Sequence, residues 1–266
     1  MKLSNVRLIA TDMDGTLLNS AHELNPRIFS LFEMFRERGI LFGAASGRQL
    51  YNLEDCFHPI KDEMLFLAEN GSFVRYKGKE LLVQALEPEA VKRFIRIARE
   101  IPGTYIIFCG KTKAWVENDA PEFMEEMCRY FARYEVVENL LEVSDDCLKV
   151  TICDLTPEGA PRSYGFLSEF IEDYQIKVSG KIWVDISHKL ANKGRALQVV
   201  QDHFNISPEE TMVFGDYFND LEMMRQARFS FAMENAMDEV KAAANYQAKS
   251  NDENGVIEIL EKVVES

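Results

Sequence analysis

Residues 6–16 read VRLIATDMDGT: a short apolar run is followed at once by two aspartates, a glycine and a threonine. Such a run is typical of a buried strand that ends in a functional turn. Ligand sites in open α/β sheets lie beyond the carboxyl ends of the strands. If the chain stays extended, Asp12 and Asp14 point to one side, because residues two apart in a strand share a face. Two close carboxylates repel unless one is protonated or a metal ion lies between them. The pair therefore indicates a catalytic or metal site, although Asp-Gly is also a common turn pair.

The segments on either side of the chain's middle alternate between strand and helix patterns. In the first segment we predict strands at 6–11, 40–45 and 64–68, helices at 25–37 and 48–56, and a hairpin of 72–76 and 80–84. In the last segment we predict helices at 193–204, 220–227 and 236–244 and strands at 211–215 and 229–233. This alternation predicts a parallel sheet with helices on both faces.

The middle of the chain has a different pattern, in which one helix followed by two strands occurs twice. The first occurrence covers 89–101, 104–109 and 114–117, and the second covers 162–174, 176–179 and 182–186. A helix at 121–134 and a strand at 148–154 are predicted between them. We therefore expect a core domain of 1–84 and 189–266, interrupted by an α+β domain at 85–188 with a mostly antiparallel sheet.

The composition excludes some classes of partner. The 266 residues include 30 Lys and Arg against 44 Asp and Glu, a formal charge of −14, and no Lys/Arg run. Such a charge repels nucleic acids and anionic membranes, so we expect neither as a partner, and a phosphate site would need a divalent cation. Five cysteines without a CxxC pair, no signal-peptide core and no apolar segment of ~20 residues predict a cytoplasmic protein.

A second acidic motif, GDYFND at 215–220, follows the apolar run Met212 to Phe214 and precedes a predicted helix. It places Asp216, Asn219 and Asp220 at another strand end, beside a helix N-terminus that favours anions. Asp220 could instead be a plain helix N-cap. If the acids of both motifs converge, Mg²⁺ suits the site, because it takes oxygen ligands and keeps water and substrate phosphate in its shell.

Two smaller features could bind phosphate. Ser46 and Gly47 follow the second predicted strand, where a hydroxyl and backbone N–H groups could hold a phosphate oxygen, although a lone Ser-Gly pair is more often a helix cap. Lys193 opens a predicted helix, which is unfavourable for a cation unless it has an anionic partner. Taken alone, it would be a solvated surface lysine.

In this combination the chain resembles the haloacid dehalogenase (HAD) superfamily, and within it the Cof-like (IIB) branch of sugar phosphatases. The motifs that carry the resemblance are DMDGT at 12–16, SGR at 46–48, Lys193 and GDYFND at 215–220, with the branch-typical NG at 70–71, AMENA at 232–236 and NGV at 254–256. The resemblance implies a Rossmann-like α/β core, in which helices flank a parallel sheet, and an inserted α+β cap that selects the substrate.

The resemblance also implies a function. The chain would be a Mg²⁺-dependent phosphatase of small phosphorylated metabolites, expected to be sugar phosphates, that works through an aspartyl-phosphate. Asp12 would attack phosphorus, and Asp14 would protonate the leaving alkoxide and then deprotonate water. The remaining implied roles are metal binding by the Asp12 carboxylate, the Asp14 backbone carbonyl and Asp216, orientation of the metal's waters by Asp220, phosphate binding by Ser46, Gly47, Lys193 and Asn219, and a substrate-facing rim of Arg48 and Asn235.

Two alternative functions remain open. A phosphosugar mutase would keep the core chemistry and return the phosphoryl group to a sugar, and a non-catalytic sensor would bind a phosphate ligand without turnover. Within the resemblance, the presence of Asp14 argues against a dehalogenase or a phosphonatase. In the inserted domain, Lys111, Lys181, Trp115 and Trp183 are conceivable substrate contacts, although Trp at strand spacing is more often core. We expect His188 to be structural.

Overall fold

The computed structural model describes residues 3–266. The chain begins with a strand–helix alternation that ends in a hairpin. Its elements are β1 (Leu8–Thr11), α1 (Arg27–Glu37), β2 (Leu41–Ala45), α2 (Leu50–Cys56), β3 (Leu65–Ala68), β4 (Phe73–Tyr76) and β5 (Lys79–Val83). Helix α1 buries Ile28, Leu31, Phe32 and Phe35, which recur at helical spacing and so form one apolar face.

The middle of the chain contains two helices that are each followed by two strands, as predicted. Its elements are α3 (Pro88–Arg99), β6 (Thr104–Gly110), β7 (Ala114–Val116), α4 (Pro121–Met127), β8 (Tyr134–Val136), β9 (Cys147–Asp154), α5 (Ala160–Leu167), β10 (Tyr174–Val178) and β11 (Trp183–His188). The helix predicted at 121–134 is too long. It ends at Met127, and Tyr134–Val136 instead pairs in parallel with β7, because pairing with a neighbouring strand overrides local helix propensity.

The last part of the chain returns to the alternating pattern. Its elements are α6 (Lys193–Phe204), β12 (Thr211–Gly215), α7 (Leu221–Met224), β13 (Phe229–Met233), α8 (Asp238–Ala243), β14 (Tyr246–Ala248) and α9 (Gly255–Glu265). The helices predicted at 220–227 and 236–244 are shorter than expected, and β14 and α9 were not predicted. Among residues 3–266, no helix is both long enough and apolar enough to cross a membrane.

The chain divides into two compact units. One contains the residues up to Leu82 together with Asn192–Ser266, and the other is Val83–Ala191. The insertion expected at 85–188 lies inside the second unit. The five cysteines, all within the described residues, are free.

The first unit is built on an eight-stranded sheet in the described chain, with the order β14-β13-β12-β1-β2-β3-β4-β5. The strands from β14 to β3 run parallel, and β4 returns antiparallel to β3. Strand β1 lies between β12 and β2, with Thr11 in register with Phe214 and Ala44. The carboxyl ends of β1, β2, β3 and β12 therefore lie side by side at one edge of the sheet. This is the α/β core with a parallel sheet that the sequence predicts.

The second unit is a six-stranded sheet in the order β10-β11-β9-β6-β7-β8. All its pairs are antiparallel except β7 with β8. Helices α3 and α5 contribute to a hydrophobic cluster on which Trp115 packs, and α4 contributes to a second cluster that contains buried Trp183. Lys111 pairs with Asp146 at 3.1 Å. Both tryptophans therefore pack in hydrophobic clusters of this unit, which is their more common role.

Candidate active site

The site is formed where neighbouring strands of the core sheet end. Asp12 follows β1, and its backbone N–H donates to the Phe214 carbonyl of β12 at 3.0 Å. Ser46 follows β2, and its N–H donates to the Leu67 carbonyl of β3 at 2.9 Å. The ladder hydrogen bonds thus continue just past the strands, and they bring the residues of both motifs to one edge.

Lys193 lies between two carboxylates. Its Nζ donates to Asp12 Oδ1 at 2.5 Å and to Asp220 Oδ1 at 2.6 Å, and its side chain has an exposed fraction of 0%. Burial alone would lower the pKa of this ammonium group, but the charges of Asp12 and Asp220 outweigh that effect and raise it. A lysine at the start of a helix needs an anionic partner, and Asp12 and Asp220 supply two. The alternative of a solvated surface lysine is therefore wrong.

Three carboxylates converge beside this lysine. Ligand oxygens of Asp12, Asp216 and Asp220 all lie within 4.8 Å of one another. Burial, and next the charge of Asp220, raise the pKa of Asp216 to about 6. Burial also raises the pKa of Asp12 well above its ordinary value, against the opposing charge of Lys193. Crowded carboxylates that hold their protons this tightly are relieved by a hard cation, so these residues fit a divalent metal ion with oxygen ligands.

The loop that carries Asp12 is held closely against Asp216. Thr16 Oγ1 donates to Asp216 Oδ1 at 3.0 Å. Gly15 has a φ of +77°, and a Cβ placed on it would lie 2.4 Å from Asp216 Oδ2. Position 15 therefore requires glycine for two reasons: its left-handed backbone and the approach of the carboxylate.

Asp220 closes its own loop. Its Oδ2 accepts hydrogen bonds from the backbone N–H groups of Asp216 at 3.0 Å and Tyr217 at 3.1 Å, while Oδ1 accepts from Lys193. Asp220 is the residue directly before helix α7, but its side chain makes no cap hydrogen bond to that helix, so it is more than a plain N-cap. Because both oxygens already have protein donors, Asp220 suits an indirect role around a cation better than direct ligation.

Asp14 has different partners from Asp12. Arg48 donates to it through Nε at 2.7 Å and Nη2 at 2.5 Å, and His22 Nδ1 lies 3.2 Å from Oδ1. Burial tends to raise the pKa of Asp14, but hydrogen bonds and charge from Arg48, then from His22, lower it overall. The chain leaves the strand after Thr11, so the expectation that strand geometry brings Asp12 and Asp14 together does not apply. Asp14 lies outside the cluster of three carboxylates.

Ser46, Gly47 and Asn219, which are predicted to bind phosphate, lie in loops that follow strands of the core sheet, whereas Lys193 begins helix α6. The buried Ser46 hydroxyl accepts from the Arg48 N–H at 3.2 Å. Helix α2 begins only at Leu50, after Gln49 as its N-cap residue, so Ser46 is not a helix cap. Asn219 lies half-buried in the loop after β12, where its Nδ2 donates to Asn70 Oδ1 at 2.9 Å.

Asn235, predicted for the substrate rim, connects two loops. Its Nδ2 donates to the Gly15 carbonyl at 2.8 Å, and its Oδ1 accepts from the Asn251 N–H at 3.2 Å. Both ends of the Asn235 amide therefore hydrogen-bond to the backbone of the protein, which is a structural role and not a substrate contact. His22, in contrast, was not predicted, because a single histidine in a polar loop gives no sequence signal that links it to Asp14.

The geometry agrees with the comparison to known proteins. A profile of the haloacid dehalogenase-like hydrolases matches residues 9–260. The chain belongs to this family. The Escherichia coli K12 protein 5-amino-6-(5-phospho-D-ribitylamino)uracil phosphatase YbjI is 37% identical over 265 residues, which are 98% of this chain and 97% of the relative.

Solved structures agree with this assignment. SMU.1108c from Streptococcus mutans UA159 superimposes with a TM-score of 0.86 at 31% identity, over 98% of this chain and 100% of that one. The HAD subclass IIB sugar phosphatase BT4131, at 22% identity, shares the fold with a TM-score of 0.79 over 97% and 98% of the two chains. Together with the family profile and the relative at 37% identity, this shows an enzyme, a phosphatase of the HAD superfamily, as the sequence motifs predicted.

Proposed function

We propose that this phosphatase hydrolyses small phosphate monoesters, in particular sugar or polyol phosphates, with Asp12 as nucleophile and Mg²⁺ as cofactor. The observation that carries the proposal is the buried group of Asp12, Lys193 and Asp220, with Asp216 beside it. Phosphoryl transfer needs mainly in-line positioning and neutralisation of charge. A fixed carboxylate beside a buried ammonium group supports both.

The proposed reaction takes place in two steps. An Asp12 oxygen attacks phosphorus and forms an aspartyl-phosphate, while Asp14 gives a proton to the departing alkoxide. Asp14 then takes a proton from the water that hydrolyses this intermediate and releases phosphate. Lys193, Asn219 and the Ser46–Gly47 loop hold the phosphoryl oxygens. Lys193 neutralises part of their negative charge, and the other groups donate hydrogen bonds to them.

The metal ion would be held by the carboxylates of Asp12 and Asp216 and by the backbone carbonyl of Asp14, with Asp220 around them. When bound, it supplies positive charge to the phosphoryl oxygens and lowers the pKa of the carboxylates that hold it. The raised pKa values of Asp12 and Asp216 support this assignment. They show that ionisation of these buried, neighbouring carboxyl groups is unfavourable, and a bound cation would make it favourable.

Arg48 fits a place at the substrate rim. Its guanidinium group forms a two-point contact with Asp14, the geometry with which arginine also binds phosphates and carboxylates. An Asp14 held in this pair stays ionised and cannot donate a proton. We therefore assign to Arg48 a second contact, with the anionic part of the substrate, that releases Asp14 when the substrate binds.

The substrate class rests on the relatives. The Escherichia coli relative is named for 5-amino-6-(5-phospho-D-ribitylamino)uracil, a phosphorylated polyol attached to a pyrimidine. We propose a substrate of the same kind, a phosphate on a primary alcohol of a sugar or polyol. The free cysteines support the cytoplasm, where such metabolites occur, as the location.

The test is a panel of phosphate esters that includes this compound, sugar phosphates and nucleotides, with phosphate release measured in Mg²⁺ and in EDTA. The Asp12→Asn variant is the control, and it should lose all turnover while it keeps the wild-type circular dichroism spectrum. Phosphate release by Asp12→Asn above a few per cent of the wild-type rate would remove Asp12 from the nucleophile role. Dependence on a bisphosphorylated sugar, without net phosphate release, would instead reveal a mutase, and binding without turnover would reveal a sensor.

A further inference from the structure

The segment Glu69–Gly71, directly after β3, has an unusual backbone. Glu69, Asn70 and Gly71 have φ values of 51°, 54° and 91°, so three successive residues are left-handed. This region is sparsely populated by residues other than glycine, and such conformations persist only where the surrounding structure fixes them. The contacts of this segment therefore indicate what the conformation is for.

The backbone of the segment is fixed by the loop that carries Ser46. The Asn70 N–H donates to the Ser46 carbonyl at 2.9 Å, and the Glu69 N–H donates to the Arg48 carbonyl at 3.1 Å. On the other side, a Cβ placed on Gly71 would lie 2.3 Å from the carbonyl oxygen of Asn192, the residue before Lys193. The segment thus lies between two of the groups that we assign to phosphate binding.

The side chain of Asn70 contacts the third group. Its Oδ1 accepts a hydrogen bond from Asn219 Nδ2 at 2.9 Å, across 149 residues of sequence. Its amide also lies against Gly47, where a Cβ would be 3.1 Å from both Oδ1 and Nδ2. A left-handed turn alone would be formed at least as well by glycine. The asparagine therefore supplies something that the turn does not need, an acceptor that orients the amide of Asn219.

We propose that Asn70 is a positioning residue of the phosphate site. Its backbone holds the Ser46–Gly47 loop, and its side chain fixes the orientation of Asn219, so that both loops move as one unit. This inference rests on the proposed function and deepens it. Its physical basis is that phosphoryl transfer depends on placement, and a misplacement of about 1 Å can reduce the rate 10²-fold.

The Asn70→Gly variant tests the side chain alone, because glycine adopts a φ of 54° without strain. We expect kcat/KM for the best ester of the panel to fall about 10- to 100-fold, and the affinity for inorganic phosphate, measured by calorimetry on the Mg²⁺-loaded protein, to fall with it. The matched control is Asn205→Gly. Asn205 has a φ of 51° at the C-terminal end of α6, and this variant should keep wild-type kinetics.

A double-mutant cycle separates positioning from general stability. If Asn70 acts through Asn219, then Asn70→Gly should reduce kcat/KM no further in an Asn219→Ala background. Multiplied losses in the double variant, or an Asn70→Gly enzyme within threefold of wild type, would overturn the inference. A wild-type protein that neither turns over any ester nor binds phosphate would contradict the proposed function itself.

Discussion

Replacement of Asp216 by asparagine should stabilise the metal-free protein even though it removes a metal ligand. Asp216 is half-buried beside Asp220, and its pKa is raised to about 6. Above that pH the folded protein holds a charge that burial and a like neighbour disfavour. Asparagine has nearly the same size, and its Oδ1 can still accept the hydrogen bond that Thr16 donates at 3.0 Å. The substitution therefore removes the charge and keeps the contact.

The magnitude follows from the pKa. A value of about 6 against an ordinary 3.8 corresponds to about 3 kcal/mol of lost stability once the group is ionised. Because solvent reaches part of the side chain, we expect the measured gain of Asp216→Asn to be about 1–2 kcal/mol. In a protein of this size, that is a rise in Tm of about 2–6 °C.

The pH dependence has a definite sign. A carboxylate whose pKa is raised by folding holds its proton better in the folded state, so folding stability from Asp216 is greatest below pH 4 and is lost as pH rises to about 6. The advantage of Asp216→Asn should therefore be complete at pH 7.5. At pH 5 it should be about half as large, since folded wild-type protein is then mostly protonated at this site.

The assay is thermal unfolding in EDTA at pH 7.5 and pH 5, followed by circular dichroism. Asp119→Asn is the control, because it removes the same formal charge from an exposed side chain and should leave Tm nearly unchanged. Mg²⁺ should raise the Tm of wild type and have much less effect on Asp216→Asn. An Asp216→Asn protein that is no more stable than wild type in EDTA at pH 7.5 would refute the reasoning, and so would a gain that is equal at both pH values.

Three further predictions concern Asp14, Lys193 and the metal ion. Asp14→Asn should lose about 10²–10⁴-fold in kcat on esters with poor leaving groups, and an unchanged kcat there would remove Asp14 from the role of acid. Lys193→Met should cost about 3–5 kcal/mol in urea unfolding, because it leaves Asp12 and Asp220 buried without a counter-charge, and adding Asp220→Asn should restore part of the loss. EDTA should abolish phosphate release and Mg²⁺ restore it, with half-saturation shifting to higher Mg²⁺ below pH 6, where Asp216 is protonated; activity that persists in EDTA would contradict the metal assignment.

The elements next to the site could be predicted closely from the sequence. Strands Thr211–Gly215 and Phe229–Met233 and helix Lys193–Phe204 have the predicted bounds. These strands are buried on both faces of a parallel sheet, so they read as continuous apolar runs with clear ends. Because such strands end at a common edge, the position of a motif directly after a strand also predicts which motifs meet.

Elements that depend on a distant partner could not be predicted. All three residues of strand β8 (Tyr134–Val136) are exposed, so the strand is stabilised by its pairing with β7 and not by burial of its side chains. The helix predicted at 121–134 included the strand's first residue, Tyr134, and neither of its other two residues was predicted as strand. The shift of Ser46 from helix cap to loop residue has a similar origin, since Asn70 and Leu67 from another part of the chain hold its backbone.

The protonation states of the acidic residues in this site could not be predicted from the sequence. Asp12 and Asp14 are identical side chains two residues apart, yet the pKa of the first is raised and that of the second is lowered. The difference comes from their surroundings: burial near Asp220 and Asp216 for one, and the two-point contact with Arg48 for the other. The proposed roles require the opposite order, an ionised nucleophile and a protonated acid. A cation at the carboxylates would favour the ionised form of Asp12, and a substrate anion at Arg48 would release Asp14 so that it can be protonated. Both ligands must therefore bind before the nucleophile and the acid are in the protonation states that the reaction needs.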